Sequence, residues 1–163
     1  MTRVGIGYDI HRLKKGRPLL LGGVRIPHPR GLDGHSDADV LLHAVIDALL
    51  GAAALGDIGH YFPPGRAETK DLDSQTMLAK ALQEIRRAGY RVENIDSMVI
   101  AEAPKLAPHR ERIRKNIARL LGVPVSAVGV KGKTNEGLDS VGQGRAIAAQ
   151  AVALLRDAKR KSE

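Results

Sequence analysis

The sequence contains no cysteine and no tryptophan, and only 2% of its 163 residues are aromatic. Without cysteine, the chain cannot form disulfides, cysteine-ligated iron–sulfur clusters or thiolate zinc sites, and it has no cysteine nucleophile. The scarcity of aromatic rings leaves almost no surface on which nucleic-acid bases could stack. No run of about 18 apolar residues occurs, so we expect no transmembrane helix. Any transition metal must therefore be held by histidine and carboxylate.

Positive charge, in contrast, is abundant. There are 26 Lys and Arg residues against 18 Asp and Glu, a net charge of +8, and such a balance is typical of nucleic-acid-binding proteins. The excess is local, because it lies mainly in the stretches 110–119 and 156–161. We interpret these stretches as a solvated helix face and a tail. A basic surface could equally attract a polyphosphorylated small substrate.

The length and composition predict one globular domain over residues 1–157, followed by a basic, disordered tail over 158–163. We find no internal repeat and no linker long enough to separate two domains. The N-terminal stretch reaches a charged residue too early to hold the apolar core of a signal peptide, so we expect a cytoplasmic protein. The lack of a long apolar run and the scarcity of aromatic residues predict that neither a membrane nor a nucleic acid is a partner.

Apolar spacing and helix breakers predict an α/β (α+β) fold, in which helices cover one face of a small mixed β-sheet. Ser36 is interpreted as the N-cap of the first helix, with Asp37 and Asp39 in its first turn. The Gly-containing stretches 56–65 and 135–144 are predicted as loops, and 146–155 fits a helix or a strand. The remaining predicted elements are strands at 4–9, 90–101 and 125–133, a hairpin over 19–26, and helices over 74–88 and 108–121.

Three residues have the chemistry of a metal site. Asp9 and His11 lie two positions apart on a predicted strand, so their side chains leave the same face. His43 lies on the first predicted helix, where Asp39 and Asp47 at helical spacing could orient its ring. A site with these three ligands and an open fourth position is typical of catalytic rather than structural zinc.

Two other polar segments suit phosphate groups. Backbone N–H groups next to Ser36 could bind an anion, and His35 could donate a hydrogen bond to a phosphate oxygen. After the strand at 125–133, the segment 131–137 offers lysine, hydroxyl and backbone donors, while Glu136 beside phosphates would require a bridging Mg²⁺ or Mn²⁺. Asp57 could either form a turn or hold substrate hydroxyls.

Four segments, in this order and spacing, closely resemble the 2-C-methyl-D-erythritol 2,4-cyclodiphosphate synthase family: GYDIHRL, LDGHSDADVLLHAVIDALLGAAALGDIG, AEAPKLAPH and KTNEGL. The resemblance covers nearly the whole chain. It implies a homotrimer of α/β subunits that pack their sheets around the three-fold axis, with active sites between neighbouring subunits. It also implies that 146–155 is a strand.

The family is a metal-dependent phosphorus–oxygen lyase of the methylerythritol phosphate route to isoprenoid precursors. The resemblance therefore implies that the substrate is 4-diphosphocytidyl-2-C-methyl-D-erythritol 2-phosphate. The 2-phosphate attacks the β-phosphate within the same molecule, which gives the 2,4-cyclodiphosphate and CMP. The implied cofactors are Zn²⁺ and a second divalent ion, Mg²⁺ or Mn²⁺.

Residue by residue, Asp9, His11 and His43 match the family's zinc ligands, and Glu136 matches the ligand of the second ion. His35 and Thr134 match the residues that stabilise the transition state. Matches to substrate contacts are Ile10, Ser36, Asp57, Ile58, Gly59, Phe62, Lys133 and Asn135, with Asp9, His11, His35, Thr134 and Glu136 again among them. Matches to the cytidine pocket of the neighbouring subunit are Ala101, Glu102, Ala103, Pro104, Lys105, Leu106 and Ala107.

The chain departs from the family pattern at two places. Ser140 replaces a usual Phe and Gln143 a usual Arg beside a cavity on the trimer axis, where an isoprenoid diphosphate binds in the family. The resemblance therefore does not carry that second ligand over to this chain. Pro64 and Arg66 replace acidic residues in a loop that covers the substrate.

Two other function classes remain as alternatives. A zinc-dependent nucleoside-diphosphate hydrolase would use water as the nucleophile and incorporate solvent oxygen into its products. A basic nucleic-acid-binding module would show affinity that falls steeply with salt. The scarcity of aromatic residues and the clustering of histidine with carboxylate argue against the second alternative.

Overall fold

The computed structural model describes residues 1–65, 67 and 70–158 of the chain. Its centre is a five-stranded sheet of β1 (Thr2–Lys15), β4 (Arg30–Leu32), β5 (Tyr90–Ile100), β6 (Val128–Lys133) and β7 (Ala146–Asp157), with β2 (Leu19–Leu21) and β3 (Val24–Ile26) in a separate hairpin. The strand order in the sheet is β4-β1-β7-β5-β6. Neighbours are antiparallel except β5 and β6, which are parallel, so the expected mixed sheet is confirmed.

Three long helices cover one face of the sheet: α1 (Val40–Ala52), α3 (Ser74–Arg87) and α4 (Arg110–Leu121). Helix α1 is apolar on almost every side because it lies between the sheet and α3. Two one-turn helices, α2 (Ile58–Tyr61) and α5 (Asp139–Gly142), lie where the sequence predicted only loops, so those predictions are wrong at these turns. The Asp57 side chain caps α2 by accepting a hydrogen bond from the N–H of His60. This cap stabilises the helical turn although two glycines nearby disfavour a helix.

Glycine lets α1 approach β1 unusually closely. A Cβ atom at Gly5 would lie 2.1 Å from the carbonyl oxygen of Ala48, and one at Gly7 would lie 2.0 Å from that of Ala44. No side chain fits at either position. The strand therefore contacts the helix backbone directly, and this contact fixes the height of α1 above the sheet.

The opposite face of β1 carries exposed apolar side chains. Val4 and Ile6 are 68% and 70% exposed, and Tyr8, Ile10 and Val152 of β7 are also exposed. The only cover that the described residues supply at this face is at one end, where Val141 of α5 packs against Ala146 and Ala148. This outer face holds five of the seven large apolar side chains that are exposed in the described part of the chain.

The ambiguous segment 146–155 is part of β7, as the resemblance implied. Its alanines do not indicate a helix here. Ala149, Ala151 and Ala153 face the helices and are buried, and small side chains suit a central strand on which α1 packs.

The first helix begins later than predicted, so the N-cap assignment of Ser36 is wrong. Ala38 has φ of 56°, which excludes a continuous helix from Ser36. The N-cap is Asp39, whose Oδ1 accepts a hydrogen bond from the N–H of Leu42. The Asp39 carboxylate also accepts from the N–H groups of Gly22 and Gly23, so it joins the β2–β3 turn to α1. Burial raises the pKa of Asp39 in spite of these hydrogen bonds.

The basic stretch 110–119 is only partly a solvated face. Arg114 donates hydrogen bonds to the carbonyl oxygens of Val125 and Val128 and thereby fastens α4 to the short 3-10 helix Val125–Ala127 and to β6. Residues 159–163 of the predicted tail lie outside the described residues. Within the described part of the chain, no helix is both long and apolar enough to cross a membrane.

Candidate metal centre and substrate cavity

Asp9, His11 and His43 converge on one point. The row of β1 residues that faces α1 contains Gly5 and Gly7 and then, where α1 begins, Asp9 and His11. Oδ2 of Asp9 lies 2.9 Å from Nε2 of His11 and 2.9 Å from Nδ1 of His43. The two ring nitrogens are 3.2 Å apart. The predicted three-residue cluster is therefore present in the fold.

These distances fit a small tetrahedral metal ion. Zinc binds imidazole nitrogen at about 2.0–2.1 Å and carboxylate oxygen at about 2.0–2.2 Å, which puts neighbouring ligand atoms of a tetrahedron about 3.3–3.5 Å apart. The three ligand atoms are slightly closer than that, so a modest outward shift would admit the ion. The donor set of two imidazoles and one carboxylate is suitable for zinc.

The ring of His11 is fixed by the backbone. Its Nδ1 lies 2.8 Å from the carbonyl oxygen of Asp33. A carbonyl can only accept, so Nδ1 carries the proton and Nε2 presents its lone pair to the cluster. This is the tautomer that a metal ligand requires.

The ring of His43 is oriented by hydroxyl groups and not by the predicted carboxylates. Its Nε2 lies 2.9 Å from Oγ of Ser74 and 3.2 Å from Oγ of Ser36. The Asp39 carboxylate instead caps α1, and Oδ1 of Asp47 accepts a hydrogen bond from the N–H of Ile58 at the start of α2. The sequence prediction that Asp39 or Asp47 orients His43 is therefore wrong.

The charges of the cluster support one another. Burial tends to raise the pKa of Asp9, but contact with the rings of His11 and His43 outweighs it and holds that pKa well below its usual range. Burial tends to lower the pKa of His11, but Asp9 and the carbonyl of Asp33 raise it above its ordinary value. Asp9 and His11 thus each favour the charged form of the other.

Hydrogen bonds to three successive backbone carbonyl oxygens hold the loop that carries His35. The guanidinium of Arg17 donates to the carbonyl oxygens of Gly34 and Ser36, at 3.1 and 2.7 Å. The carbonyl between them, that of His35, accepts from the N–H of Asp71 at 2.8 Å. The side chain of His35 is exposed beside the buried Ser36, so the loop presents an exposed imidazole one residue before Ser36, whose hydroxyl contacts His43.

The predicted substrate contacts at 57–62 have mainly structural partners. Asp57 caps α2, and Ile58 is tied to Asp47. Gly59 packs against the Asp57 carboxylate, since a Cβ atom there would lie 3.3 Å from its Oδ1. Phe62 is only 9% exposed and packs in the core. Of this group, Asp57 and Gly59 remain on the surface.

A second region of predicted site residues surrounds a cavity of about 430 Å³. It lies where β5 and β6 end and α4 begins, and none of the three metal-cluster residues lines it. Ala103 belongs to the same segment but is absent from the lining. The lining residues are Leu21, Val99, Ala101, Glu102, Pro104, Lys105, Leu106, Ala107, Arg110, Gly132, Lys133 and Thr134.

The segment after β6 is exposed and organised by its own side chains. Oγ1 of Thr134 donates to the Glu136 carboxylate at 3.1 Å. The N–H of Asn135 donates to Oε1 of Glu102 at 3.2 Å, which connects this segment to the cavity wall. Glu136 has φ of 52°, so it lies at a sharp bend in the backbone. The structure thus brings Thr134 and Glu136 together.

The departures from the family pattern lie on the surface. Ser140 lines a separate cavity together with Arg12, Arg30 and Arg145, so positive charge is retained beside it. Gln143 and Pro64 are exposed. Arg66 lies outside the described residues.

The sequence profile of the YgbB family matches residues 2–156. The chain belongs to the YgbB family. It is 60% identical over 158 residues to a protein from Chromobacterium violaceum named 2-C-methyl-D-erythritol 2,4-cyclodiphosphate synthase, a match that covers 97% of this chain and all of that relative.

Solved structures of YgbB-like proteins share the fold. The bifunctional IspDF from Campylobacter jejuni superposes with a TM-score of 0.93 at 38% identity, over 98% of this chain and 44% of that longer one. The Plasmodium falciparum IspF in complex with CDP superposes with a TM-score of 0.84 at 38% identity, over 96% of each chain.

Sequence reasoning missed three residues of this YgbB-family chain that support the site. Ser74 contacts the His43 ring and donates to Asp37, and Arg17 holds the His35 loop. For Ser74 and Asp37, the only sequence feature that pointed toward them was polarity near the predicted helix starts. Ser74 lies 31 positions from His43, and no local pattern reveals such a contact.

Proposed function

We propose that this chain converts 4-diphosphocytidyl-2-C-methyl-D-erythritol 2-phosphate to 2-C-methyl-D-erythritol 2,4-cyclodiphosphate and CMP. The convergence of Asp9, His11 and His43 on one point carries this proposal. Membership of the YgbB family, with relatives that bear the name of this activity, supports it. The proposal keeps the cytoplasmic location expected from the sequence.

Asp9, His11 and His43 would hold Zn²⁺. When bound, the ion supplies a Lewis acid that polarises a phosphoryl oxygen. Nδ1 of His11 lies against a carbonyl oxygen and Nε2 of His43 against a serine hydroxyl, so the other nitrogen of each ring would face the ion. Glu136 would hold the second divalent ion, Mg²⁺ or Mn²⁺, because a carboxylate next to phosphates suits a hard cation.

The protein needs no nucleophile of its own. An oxygen of the substrate's 2-phosphate attacks the β-phosphorus, the new P–O bond closes the ring, and the bond from the β-phosphorus to the α-phosphate oxygen breaks to release CMP. Holding the two phosphates in line can contribute roughly 7–11 kcal/mol in favourable intramolecular cases. The rigid His35 loop and the cavity around 101–107 would hold the two ends of the substrate.

His35 and Thr134 would stabilise the transition state. Their N–H and O–H groups would donate to oxygens of the β-phosphate as its charge increases, and one such donor can be worth about 2.7–4 kcal/mol. Thr134 would exchange its hydrogen bond to Glu136 for one to the substrate when a cation neutralises that carboxylate. Lys133 adds positive charge at the same strand end.

The active form would be a homotrimer with sites between subunits. The outer face of β1 exposes Val4, Ile6, Tyr8 and Ile10, an apolar strip that a second copy of the chain would cover. The metal cluster does not line the 430 Å³ cavity of its own chain. Packing around a three-fold axis would bring the cavity of one subunit to the metal cluster of the next.

Mixed trimers test this arrangement. His43→Ala removes a metal ligand, and Ala107→Trp fills the proposed cytidine cavity, so each variant alone should be inactive. Trimers co-assembled from both variants should regain activity, because some sites then combine an intact cluster with an intact cavity. No recovery in verified mixed trimers would contradict sites between subunits.

Phosphorus NMR of the purified protein with the cytidyl substrate, Zn²⁺ and Mg²⁺ tests the reaction itself. We expect a cyclic diphosphate to appear together with CMP. CMP with a linear product would instead indicate hydrolysis by water, and labelled solvent oxygen would then appear in the products. Either a linear product or an absence of turnover in the metal-loaded protein would overturn the proposed function.

A further inference from the structure

The hydrogen bond between His43 and Ser74 is followed by a second one, from Ser74 to Asp37. Ser74, the first residue of α3, has no exposed surface. Its hydroxyl lies 2.9 Å from Nε2 of His43 and donates a short hydrogen bond to Oδ1 of Asp37. A series of hydrogen-bonded groups thus runs from the metal cluster through the fully buried Ser74 to the partly buried Asp37.

The direction of each hydrogen bond in this series, from His43 through Ser74 to Asp37, follows from the Asp37 carboxylate. Its Oδ1 also accepts from the N–H of Asp39, and its Oδ2 accepts from the N–H of Ser74 at 2.9 Å. Both carboxylate oxygens are therefore acceptors, and the single proton of the Ser74 hydroxyl points to Asp37. Oγ of Ser74 can then only accept from His43, so Nε2 of His43 carries the proton.

This polarity leaves Nδ1 of His43 with a free lone pair, directed at Oδ2 of Asp9 and Nε2 of His11. Ser36 gives a weaker second contact to Nε2, because its Oγ is 3.2 Å away and also accepts from the N–H of Ala38. We infer that Ser74 and Asp37 are positioning residues of the metal centre, which lock His43 in the tautomer and orientation that bind the ion. The inference rests on the proposed metal site.

A purely structural role for the same groups would be capping of α3. That role is already filled by Asp73, the N-cap, whose Oδ1 accepts from the N–H of Gln75 at 2.9 Å. Capping also gives no reason for the Ser74 side chain to contact His43. Asp73 therefore provides a matched control on the same helix end.

The test measures zinc affinity of the full-length protein by competition with a chelator. Ser74→Ala should weaken zinc binding by about 10- to 100-fold, the range typical for loss of a group that orients a ligand. Asp73→Ala should lower the thermal midpoint of the metal-free protein and leave the zinc affinity unchanged. Ser74→Thr, which keeps the hydroxyl, should retain most of the affinity.

Cobalt(II) provides a second readout, because its visible absorption reports the geometry of its ligands. Ser74→Ala and Asp37→Asn should change the spectrum of the bound cobalt, whereas Asp73→Ala should not. Unchanged zinc affinity and an unchanged cobalt spectrum in Ser74→Ala would overturn the inference alone, as would equal losses in Ser74→Ala and Asp73→Ala. Failure of the unmodified protein to bind zinc would instead overturn the metal part of the proposed function, and this inference with it.

Discussion

The two halves of the proposed site differ in how much of their structure one chain completes. At the metal end, Asp9, His11 and His43 are at least partly buried, and each ring nitrogen has a defined partner. At the phosphate end, Thr134 and Glu136 are exposed and bond mainly to each other. The metal end therefore has its geometry before any ligand binds, whereas at the phosphate end a ligand must replace the hydrogen bond between Thr134 and Glu136.

This difference indicates that the two ends of the site contribute to the reaction in different ways. A preformed metal end can hold charge without rearrangement at the moment of reaction, which is the main source of electrostatic catalysis. In the proposed trimer, the exposed end would gain its geometry from the substrate and from a neighbouring subunit. Changes at the metal end should therefore be severe and insensitive to substrate concentration, while those at the exposed end should be milder.

Removal of a metal ligand should have the largest effect. His43→Ala should lower CMP release by about 10³-fold or more, since a metal ion is worth several kcal/mol at about 1.4 kcal/mol per factor of ten. Zinc content by elemental analysis should fall in parallel, and the trimer should persist in light scattering. Full turnover without zinc would contradict the assignment of His43.

Thr134→Val tests the exposed end and should cost less. Loss of one donor should reduce kcat by about 10²-fold, the lower end of the range for a preorganised donor, while zinc affinity stays the same. Lys131→Ala is the matched control, since Lys131 lies on the same strand and pairs with Asp96 outside the cavity. Equal losses in both variants would contradict a specific role for Thr134.

Arg17→Ala should loosen the His35 loop and reduce kcat by about tenfold through misplacement of that imidazole. Zinc binding should not change, because Arg17 holds the carbonyls of Gly34 and Ser36 and no metal ligand. Arg25→Ala is the matched control, because Arg25 lines a surface cavity together with Arg17 but has no hydrogen bond to the loop among the described residues. An effect of Arg25→Ala as large as that of Arg17→Ala would contradict the positioning role.

The pH dependence of the metal-free protein should show the smallest effect. The folded pKa of Asp9 is lowered, so its stabilisation is present above the ordinary value of 3.8 and is lost as the pH falls. The folded pKa of His11 is raised, so its stabilisation is present below 6.5 and is lost as the pH rises through the folded value. Thermal midpoints without metal should therefore peak between these values, and Asp9→Asn should flatten the curve; an identical curve in Asp9→Asn would contradict this.

Local patterns were sufficient for most of the fold. The hairpin over 19–26 follows from apolar residues on both sides of the turn glycines Gly22 and Gly23, and the helix over 74–88 follows from amphipathic spacing that stops at Gly89. Both are confirmed within one residue at each end. The start of α1 was mistaken because Ser36 has the chemistry of an N-cap, while nothing in the local sequence indicates the positive φ of the buried Ala38. The strand nature of 146–155 also depended on packing, since alanine suits both alternatives.

The residues of the site were likewise predictable where a contact is local and not where it joins distant elements. The pairing of Asp9 with His11 is a matter of strand geometry and can be read from two positions. The support of His43 by Ser74 joins distant elements, so spacing suggested Asp39 and Asp47 instead. Both of those carboxylates bind backbone N–H groups, a use that helical spacing cannot distinguish from ligand orientation.

The backbone contact between β1 and α1 has a consequence for protein engineering. Because Gly5 and Gly7 press against the carbonyls of Ala48 and Ala44, the separation of the strand ligands from the helix ligand is set by main-chain atoms alone. A designer who transplants the three ligands into another scaffold must transplant the glycine pair and the facing alanines with them. The smallest portable form of this metal site is thus a strand and a helix, with side chains absent where the two elements touch.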